Sequence, residues 1–241
     1  MSAALPLVLV PGYMLDDTLW DALRPTLGAA GQRELVHIPL AGGATIADMA
    51  RAALAACPSG RCDLLGFSMG GYVAREMARM APGRVRSLIL IATSSRADTP
   101  LQISQRQTAA QARPLGPFRG LGRVAIIQSL HPQHATDAAL IDRVRSMGER
   151  LGRQAFIEQS MIVRDSDASR LAQIACPVLV IAAEQDQMRS ADEARELAAA
   201  IPGAQLEFIQ DSGHMIPLEQ ATGLAQCIVR WLDPISRDHH V

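Results

Sequence analysis

Leu64-Leu65-Gly66-Phe67-Ser68-Met69-Gly70-Gly71-Tyr72 joins an apolar run to a helical one through a glycine-flanked serine. The apolar residues before Gly66 predict a strand, and the helical spacing from Tyr72 to Met80 predicts a helix, so the stretch between them must turn sharply. Glycines two positions before and two positions after Ser68 relieve crowding in such a turn, which lifts the serine hydroxyl above a sheet edge at a helix N-terminus. Ser68 is therefore a candidate nucleophile. The N–H of Met69, next in the chain, is a candidate donor to an oxyanion.

Similar apolar runs recur on both sides of this unit: Leu5 to Val10, Leu35 to Ile38, Cys62 to Phe67, Val85 to Ala92, Val178 to Ala183 and Gln205 to Ile209. Such runs predict strands buried on both faces of a parallel sheet. Amphipathic segments separate them, at Leu19 to Leu27, Ile46 to Ala56, Tyr72 to Met80, Ala191 to Ile201 and Leu218 to Leu232. Strand and helix in alternation imply an α/β fold with a doubly wound, mostly parallel sheet of about six strands. Right-handed crossovers then gather the loops at the strand C-terminal ends on one edge, where sites in such folds form.

Between Arg96 and Arg170 the strand pattern stops, and helical segments at Leu101 to Ala112, Ala138 to Leu151 and Arg153 to Val163 replace it. This reads as a helical insertion, with turns at Pro114-Leu115-Gly116-Pro117 and His131-Pro132. The domain organisation expected is a core of residues 1–95 and 171–241 interrupted by residues 96–170.

A serine hydroxyl needs a base within hydrogen-bond reach, and the base needs an acceptor to fix its tautomer. Of the six histidines, His214 follows the last strand and precedes the last helix, on the same sheet edge as Ser68. His37 lies inside a strand, as a core histidine would. His131 and His134 belong to the insertion, where Pro132 disfavours a helical metal pair, and His239 and His240 belong to the tail. The acid should follow another strand: Asp186 is the choice, with Glu184 and Asp211 as alternatives. A second oxyanion donor is expected from the loop after the first strand, where Gly12 permits a tight turn and the N–H of Tyr13 can point at the carbonyl oxygen. Met14, Met69 and Met215 sit beside these loops and suggest an adaptable apolar pocket, so Gly12, Met14 and Met215 are candidate substrate contacts.

Composition removes whole chemistries. The chain has 241 residues, 23 Lys plus Arg, and no lysine at all, so Walker-type phosphate loops, Schiff-base catalysis and Ser-x-x-Lys acyl enzymes cannot be built. A net charge of -1 gives no field for a nucleic-acid backbone or an anionic membrane. The four cysteines show no zinc-ligand spacing and read as reduced thiols; neither metal nor cofactor is implied. Met1 is followed by no basic segment, and Pro6 and Pro11 break the first apolar run, so the expectation is a cytoplasmic protein without a signal peptide or membrane span.

With the turn at Gly66 to Gly71, Gly12 with Trp20 beyond it, Glu184-x-Asp186 and Gly213-His214, the chain resembles the α/β-hydrolase superfamily over nearly its whole length. It is most similar to small bacterial esterases and 3-oxoadipate enol-lactonase-like enzymes. The resemblance implies that the helical insertion is a cap over the site. It also implies that the sheet begins at the strand the family normally reaches third, without the usual N-terminal hairpin. Two departures bear on pocket shape: Pro11-Gly12 stands where His-Gly is usual, and Pro39-Leu40-Ala41-Gly42-Gly43 replaces the usual Asp-x-x-Gly-x-Gly.

The expected activity is hydrolysis of a small-molecule carboxylic ester or lactone through an acyl-serine. C–C bond hydrolysis of a diketone uses the same three residues and remains open, as does a non-catalytic receptor of the same fold. Haloalkane dehalogenation is disfavoured because its nucleophile is an aspartate. Eleven of the 23 arginines, against seven acidic residues, fall between Arg96 and Arg170, leaving that segment net positive by four. Arginines facing the site would suit an acid-bearing substrate, and arginines on outer helix faces would be only solvated.

Overall fold

Runs of Val, Leu and Ile without polar alternation are stable as strands only when both faces are covered. The computed structural model, which describes residues 4–112 and 116–237, has strands β1 (Leu7–Val10), β2 (Leu35–His37), β3 (Cys62–Phe67), β4 (Val85–Ile91), β5 (Val178–Ala183) and β6 (Gln205–Ile209). They form one sheet in the order β2-β1-β3-β4-β5-β6, and every neighbouring pair is parallel. The four inner strands are buried at every residue. The edge strand β6 instead alternates Gln205, Leu206, Glu207 and Phe208 and is only half-buried, as an edge permits.

Alternate residues of the inner strands feed two separate cores. Leu7, Leu9, Leu65, Phe67, Ile89 and Ile91 pack with Leu27 of α1 (Arg24–Ala29) and with Leu224 and Ile228 at the other end of the chain. On the opposite face Val8, Val10, Leu64, Leu88 and Leu90 pack on α2 (Ile46–Ala56) and α3 (Met69–Met80). Helix α2 starts where Thr45 accepts the N–H of Asp48 at 3.1 Å, satisfying an end donor that the helix cannot.

Between β4 and β5 lie α4 (Pro100–Gln111), α5 (Arg123–Ser129) and α6 (Ala138–Met161). Helix α5 was not expected; it is one short segment between the glycine-rich turn at Gly116 to Gly122 and the turn at His131-Pro132. Helix α6 covers the segment expected before residue 152 and, as far as Met161, the one expected after it, and Gly152 breaks it between them with φ 81° and ψ 174°. Arg113, Pro114 and Leu115 lie outside the described residues, so only Gly116 and Pro117 of the first turn are placed. His239 and His240 also lie outside them. After β5 come α7 (Ala191–Ala200), then α8 (Ile216–Glu219) and α9 (Ala221–Arg237) following β6. No helix among the described residues is long and apolar enough to cross a membrane.

The sheet's two ends differ in chemistry. Near the strand starts, fully buried Asp63 of β3 accepts hydrogen bonds from Arg33, from Arg86 Nε at 2.8 Å and from Ser87 Oγ at 2.6 Å, which joins the approach to β2 to β3 and β4. Buried charge of this kind is tolerated only with its partners in place. At the other end the helical segment enters and leaves through a narrow stem. Asp98 N–H donates to the Arg164 carbonyl at 2.8 Å, and Asp167 N–H donates to the Ser95 carbonyl at 3.2 Å. Fully buried Arg75 of α3 clamps Asp167 with two bonds of 2.8 and 2.9 Å.

Asp98 carries the stem's charge. Burial raises its carboxyl, but the guanidiniums of Arg164 and Arg106 outweigh burial and hold it at about 2, below the ordinary 3.8. A carboxylate depressed by folding contributes stability that is present above its unfolded value and is lost as pH falls through its folded value. The gap in unfolding free energy between the chain and its Asp98→Asn variant should therefore hold steady from pH 7 to about 4 and close toward pH 2. Urea titrations across that range measure it, and a gap independent of pH would contradict the stem's electrostatics.

Candidate active site

In the sheet order the chain passes from β1 to β2 on one side and to β3 on the other. Loops leaving β1 and β3 therefore diverge and open a crevice at their C-terminal ends. Tyr13 and Ser68 stand on its two sides.

The turn after β3 is held by contacts that only glycine allows. A Cβ on Gly70 would lie 2.4 Å from the Val10 carbonyl oxygen and 2.3 Å from that of Pro11, and a Cβ on Gly66 would lie 2.6 Å from the Gly70 carbonyl oxygen. Ser68 itself has φ 51° and ψ -115°, a strained conformation for a residue with a side chain. Its N–H still donates to the Ile91 carbonyl at 2.8 Å, and Thr93 Oγ1 donates to its carbonyl at 2.8 Å, so the backbone is pinned on both sides. Met69 is the first residue of α3 and its N–H has no intrahelical acceptor.

Three residues far apart in sequence meet at this turn. Ser68 Oγ lies 2.9 Å from His214 Nε2, and His214 Nδ1 lies 2.7 Å from Asp186 Oδ2. The carboxylate can only accept, so Nδ1 carries the proton and Nε2 is left to accept from the serine hydroxyl. Asp186 is fixed in turn by the N–H groups of Met188 and Arg189, at 2.7 and 2.9 Å to Oδ1. The His214 ring packs on Phe67, with ring centres 5.3 Å apart. Of the alternative acids, Glu184 and Asp211 are both exposed, and the Asp211 carbonyl accepts from Gln133 and Gln220 in a surface loop.

These groups open on a cavity of about 410 Å³ whose walls include Tyr13, Met69 and Met215 and side chains of α4, α5 and α6. Met14 does not belong to it. It is fully buried at φ 55°, with its N–H held by Gln159 Oε1 at 2.8 Å, so the turn directs the side chain into the core. Gly12 is likewise no wall residue; a Cβ there would lie 3.0 Å from the Phe67 ring, so its role is to let that ring approach. The Tyr13 hydroxyl shares a 2.6 Å hydrogen bond with Ser160 of α6. Burial pushes this phenol up, while Ser160 and the nearby guanidiniums of Arg106 and Arg164 draw it the other way.

The other histidines lie apart. His37 accepts a hydrogen bond from Trp20 Nε1 at 3.3 Å, and burial pulls its imidazole down. His134 faces Glu219, whose importance the sequence did not reveal, since its partners are spread along the chain. The fully buried side chain of Glu219 accepts from Gly213 N–H at 3.0 Å with one oxygen, and with the other from His131 N–H at 2.7 Å and His134 Nδ1 at 2.9 Å. It ties the His214 loop to the helical segment. An acid in the apolar run Met215-Ile216-Pro217-Leu218 was the one available signal. Among the described residues no three His, Cys, Asp or Glu side chains gather as a metal site.

The model of the alpha/beta hydrolase fold family matches residues 41–221. A pimeloyl-[acyl-carrier protein] methyl ester esterase of Neisseria meningitidis is 28% identical over 228 residues, covering 90% of this chain and 89% of that protein. A polyketide synthase of Burkholderia thailandensis is also 28% identical, over 95% of this chain, which spans only 12% of that protein's length. Among solved structures, a thermophilic esterase from Thermogutta terrifontis superposes with a TM-score of 0.81 at 29% identity, covering 98% of this chain and 92% of that one.

Removing the Glu219 carboxylate leaves the buried Gly213 N–H of the histidine loop, and the His131 N–H of the helical segment, without an acceptor. Glu219→Ala should lower unfolding free energy by about 3 kcal/mol, in the range for breaking a buried charged network. Among molecules that remain folded, turnover of an activated ester should fall about tenfold, the scale of a misplaced catalytic group. Denaturation and kcat measured on the same preparation test both; a destabilised variant with unchanged kcat would restrict Glu219 to holding the fold.

Proposed function

The chain belongs to the α/β-hydrolase fold family, and within it we propose a serine hydrolase that cleaves a carboxylic ester or lactone. The observation that carries this reading is the continuous hydrogen-bonded line from Ser68 Oγ through His214 to Asp186, opening on a cavity of about 410 Å³. A receptor of the same fold has no need of a strained serine poised on a histidine. The full-length esterase relative from Neisseria meningitidis and the esterase neighbour from Thermogutta terrifontis support ester cleavage over other bond types.

In this reading His214 Nε2 takes the Ser68 proton as Oγ attacks the substrate carbonyl carbon. Asp186 holds the ring in the required tautomer and stabilises the imidazolium that forms. The N–H groups of Tyr13 and Met69 receive the negative charge that develops on the carbonyl oxygen. As the tetrahedral intermediate collapses, His214 returns the proton to the departing alcohol oxygen, leaving an acyl-Ser68. Water, deprotonated by the same nitrogen, then attacks the acyl group and regenerates the serine. No step draws on a metal or cofactor.

Residues 96–170 are read as a cap on the core formed by residues 1–95 and 171–241. Side chains of α4, α5 and α6 form one wall of the same cavity as Ser68, which supports the reading. Such a wall limits water and defines the space left for the acyl or alcohol group.

Variant kinetics on an activated ester test the assignment. Ser68→Ala and His214→Ala should each lose on the order of 10⁴ to 10⁶ in kcat. Asp186→Asn should lose about 10⁴, because the tautomer is no longer enforced. Exposed Glu184→Gln should match the parent. Retention of more than about a tenth of the activity by Ser68→Ala, far outside the expected loss, would refute the mechanism; a dead Glu184→Gln beside an active Asp186→Asn would move the acid.

A further inference from the structure

Three arginines reach the cavity that holds Ser68, namely Arg106 of α4, Arg164 at the stem and Arg189 before α7, and no Asp or Glu is among the described residues lining it. They are not solvated surface groups. Their side chains are 18%, 13% and 10% exposed, against 74% for Arg119 on an outer face of the same segment.

Their partners do not balance them. Asp98 serves both Arg106, at 2.6 Å to Nη2, and Arg164, while Glu193 serves Arg189 at 3.3 Å to Nη1. Three guanidiniums against two carboxylates leave one positive charge. Each of these bonds, with that from Arg106 Nη2 to the Ile162 carbonyl, uses a single terminal nitrogen of its guanidinium. Nε and the second terminal nitrogen of all three have no protein acceptor among the described residues. The three cations also feel one another: burial lowers the Arg164 guanidinium, Asp98 raises it, and both Arg189 and Arg106 lower it further.

A partly desolvated cavity with a surplus of one positive charge, free guanidinium N–H donors and no acid in its wall is complementary to a monoanion. A carboxylate fits on charge and on shape, since Arg189, bonded through Nη1, keeps the Nε and Nη2 edge that presents two parallel N–H groups to its two oxygens, while Arg106 and Arg164 add further N–H donors and charge. A phosphate monoester, nearer two negative charges at neutral pH, would overcompensate.

We propose that Arg106, Arg164 and Arg189 form a carboxylate subsite, and that the substrate of the Ser68 site carries a free carboxylate besides its scissile ester. Monoesters of dicarboxylic acids, or lactones bearing a carboxylate, are the class that fits. The inference rests on the serine-hydrolase reading.

The test compares two matched ester pairs. Monomethyl glutarate against methyl pentanoate places the carboxylate or a methyl group on the acyl chain; 3-(butanoyloxy)propanoate against propyl butanoate places them on the alcohol. In at least one pair kcat/KM should favour the carboxylate by about tenfold or more, the scale of one charge-assisted hydrogen bond. The pair that shows it locates the subsite relative to the scissile bond. In Arg106→Gln, which leaves Asp98 partnered by Arg164, that preference should shrink about tenfold, and Arg106→Lys should restore part of it. Equal or reversed preference in both pairs, with turnover still dependent on Ser68, would overturn the subsite and leave the hydrolase reading intact. If no ester is turned over, the hydrolase reading fails, and calorimetry on the Ser68→Ala chain still decides the subsite. Monomethyl glutarate binding there about tenfold more tightly than methyl pentanoate supports it, and equal binding overturns it.

Discussion

The backbone of the first turn of α3 lies so close to the end of β1 that no side chain fits between them, and this approach at Gly70 sets the geometry of the site. It brings the loop after β1 and the turn after β3 together at the point where the strand order reverses, with Tyr13 on one side and Ser68 on the other. A tight turn from β3 into α3 at that distance forces Ser68 to a positive φ. Strain of this sort costs about 1–3 kcal/mol and persists only where the surroundings over-determine it. Here the Ile91 carbonyl, Thr93 and the packing of Gly66 do so.

Everything else at this end of the sheet is placed relative to that turn by buried polar contacts rather than by the apolar cores. Asp186 takes two main-chain N–H groups and the imidazole; Glu219 bridges the histidine loop and the segment at His131 to His134; Asp167 is clamped by Arg75 on the helix that follows Ser68. Contacts of this kind are costly when half-made, and they therefore hold geometry more sharply than apolar packing does. The helical segment between β4 and β5 is thus bound to the same helix that presents the serine.

Much of this was legible in the sequence, because buried parallel strands and amphipathic helices have distinct periodicities. The bounds read for β3, β5 and β6 coincide with those observed, and Ser68, His214 and Asp186 were placed on one sheet edge by chain order alone. Where the reading failed, tertiary contacts had overridden local preference. Helix α3 starts at Met69, three residues earlier than its apolar spacing suggested, because packing holds Gly70 and Gly71 helical despite their poor propensity. Met14 reads as a pocket residue by proximity, yet its turn points it into the core. The roles of Glu219 and of Arg106, Arg164 and Arg189 depend on partners and exposure that composition does not encode; eleven arginines in the segment gave a charge but not a direction.

In the proposed mechanism Ser68, and no other nucleophile, attacks the substrate because His214 activates it. A fluorophosphonate, which phosphonylates a serine only when its hydroxyl is activated, tests this most directly when the product is weighed intact and the modified peptide is mapped. The expected result is one adduct per chain, located on Ser68, abolished in Ser68→Ala and slowed by orders of magnitude in His214→Ala. An adduct on a different residue, or labelling of Ser68 at an undiminished rate without His214, would contradict it.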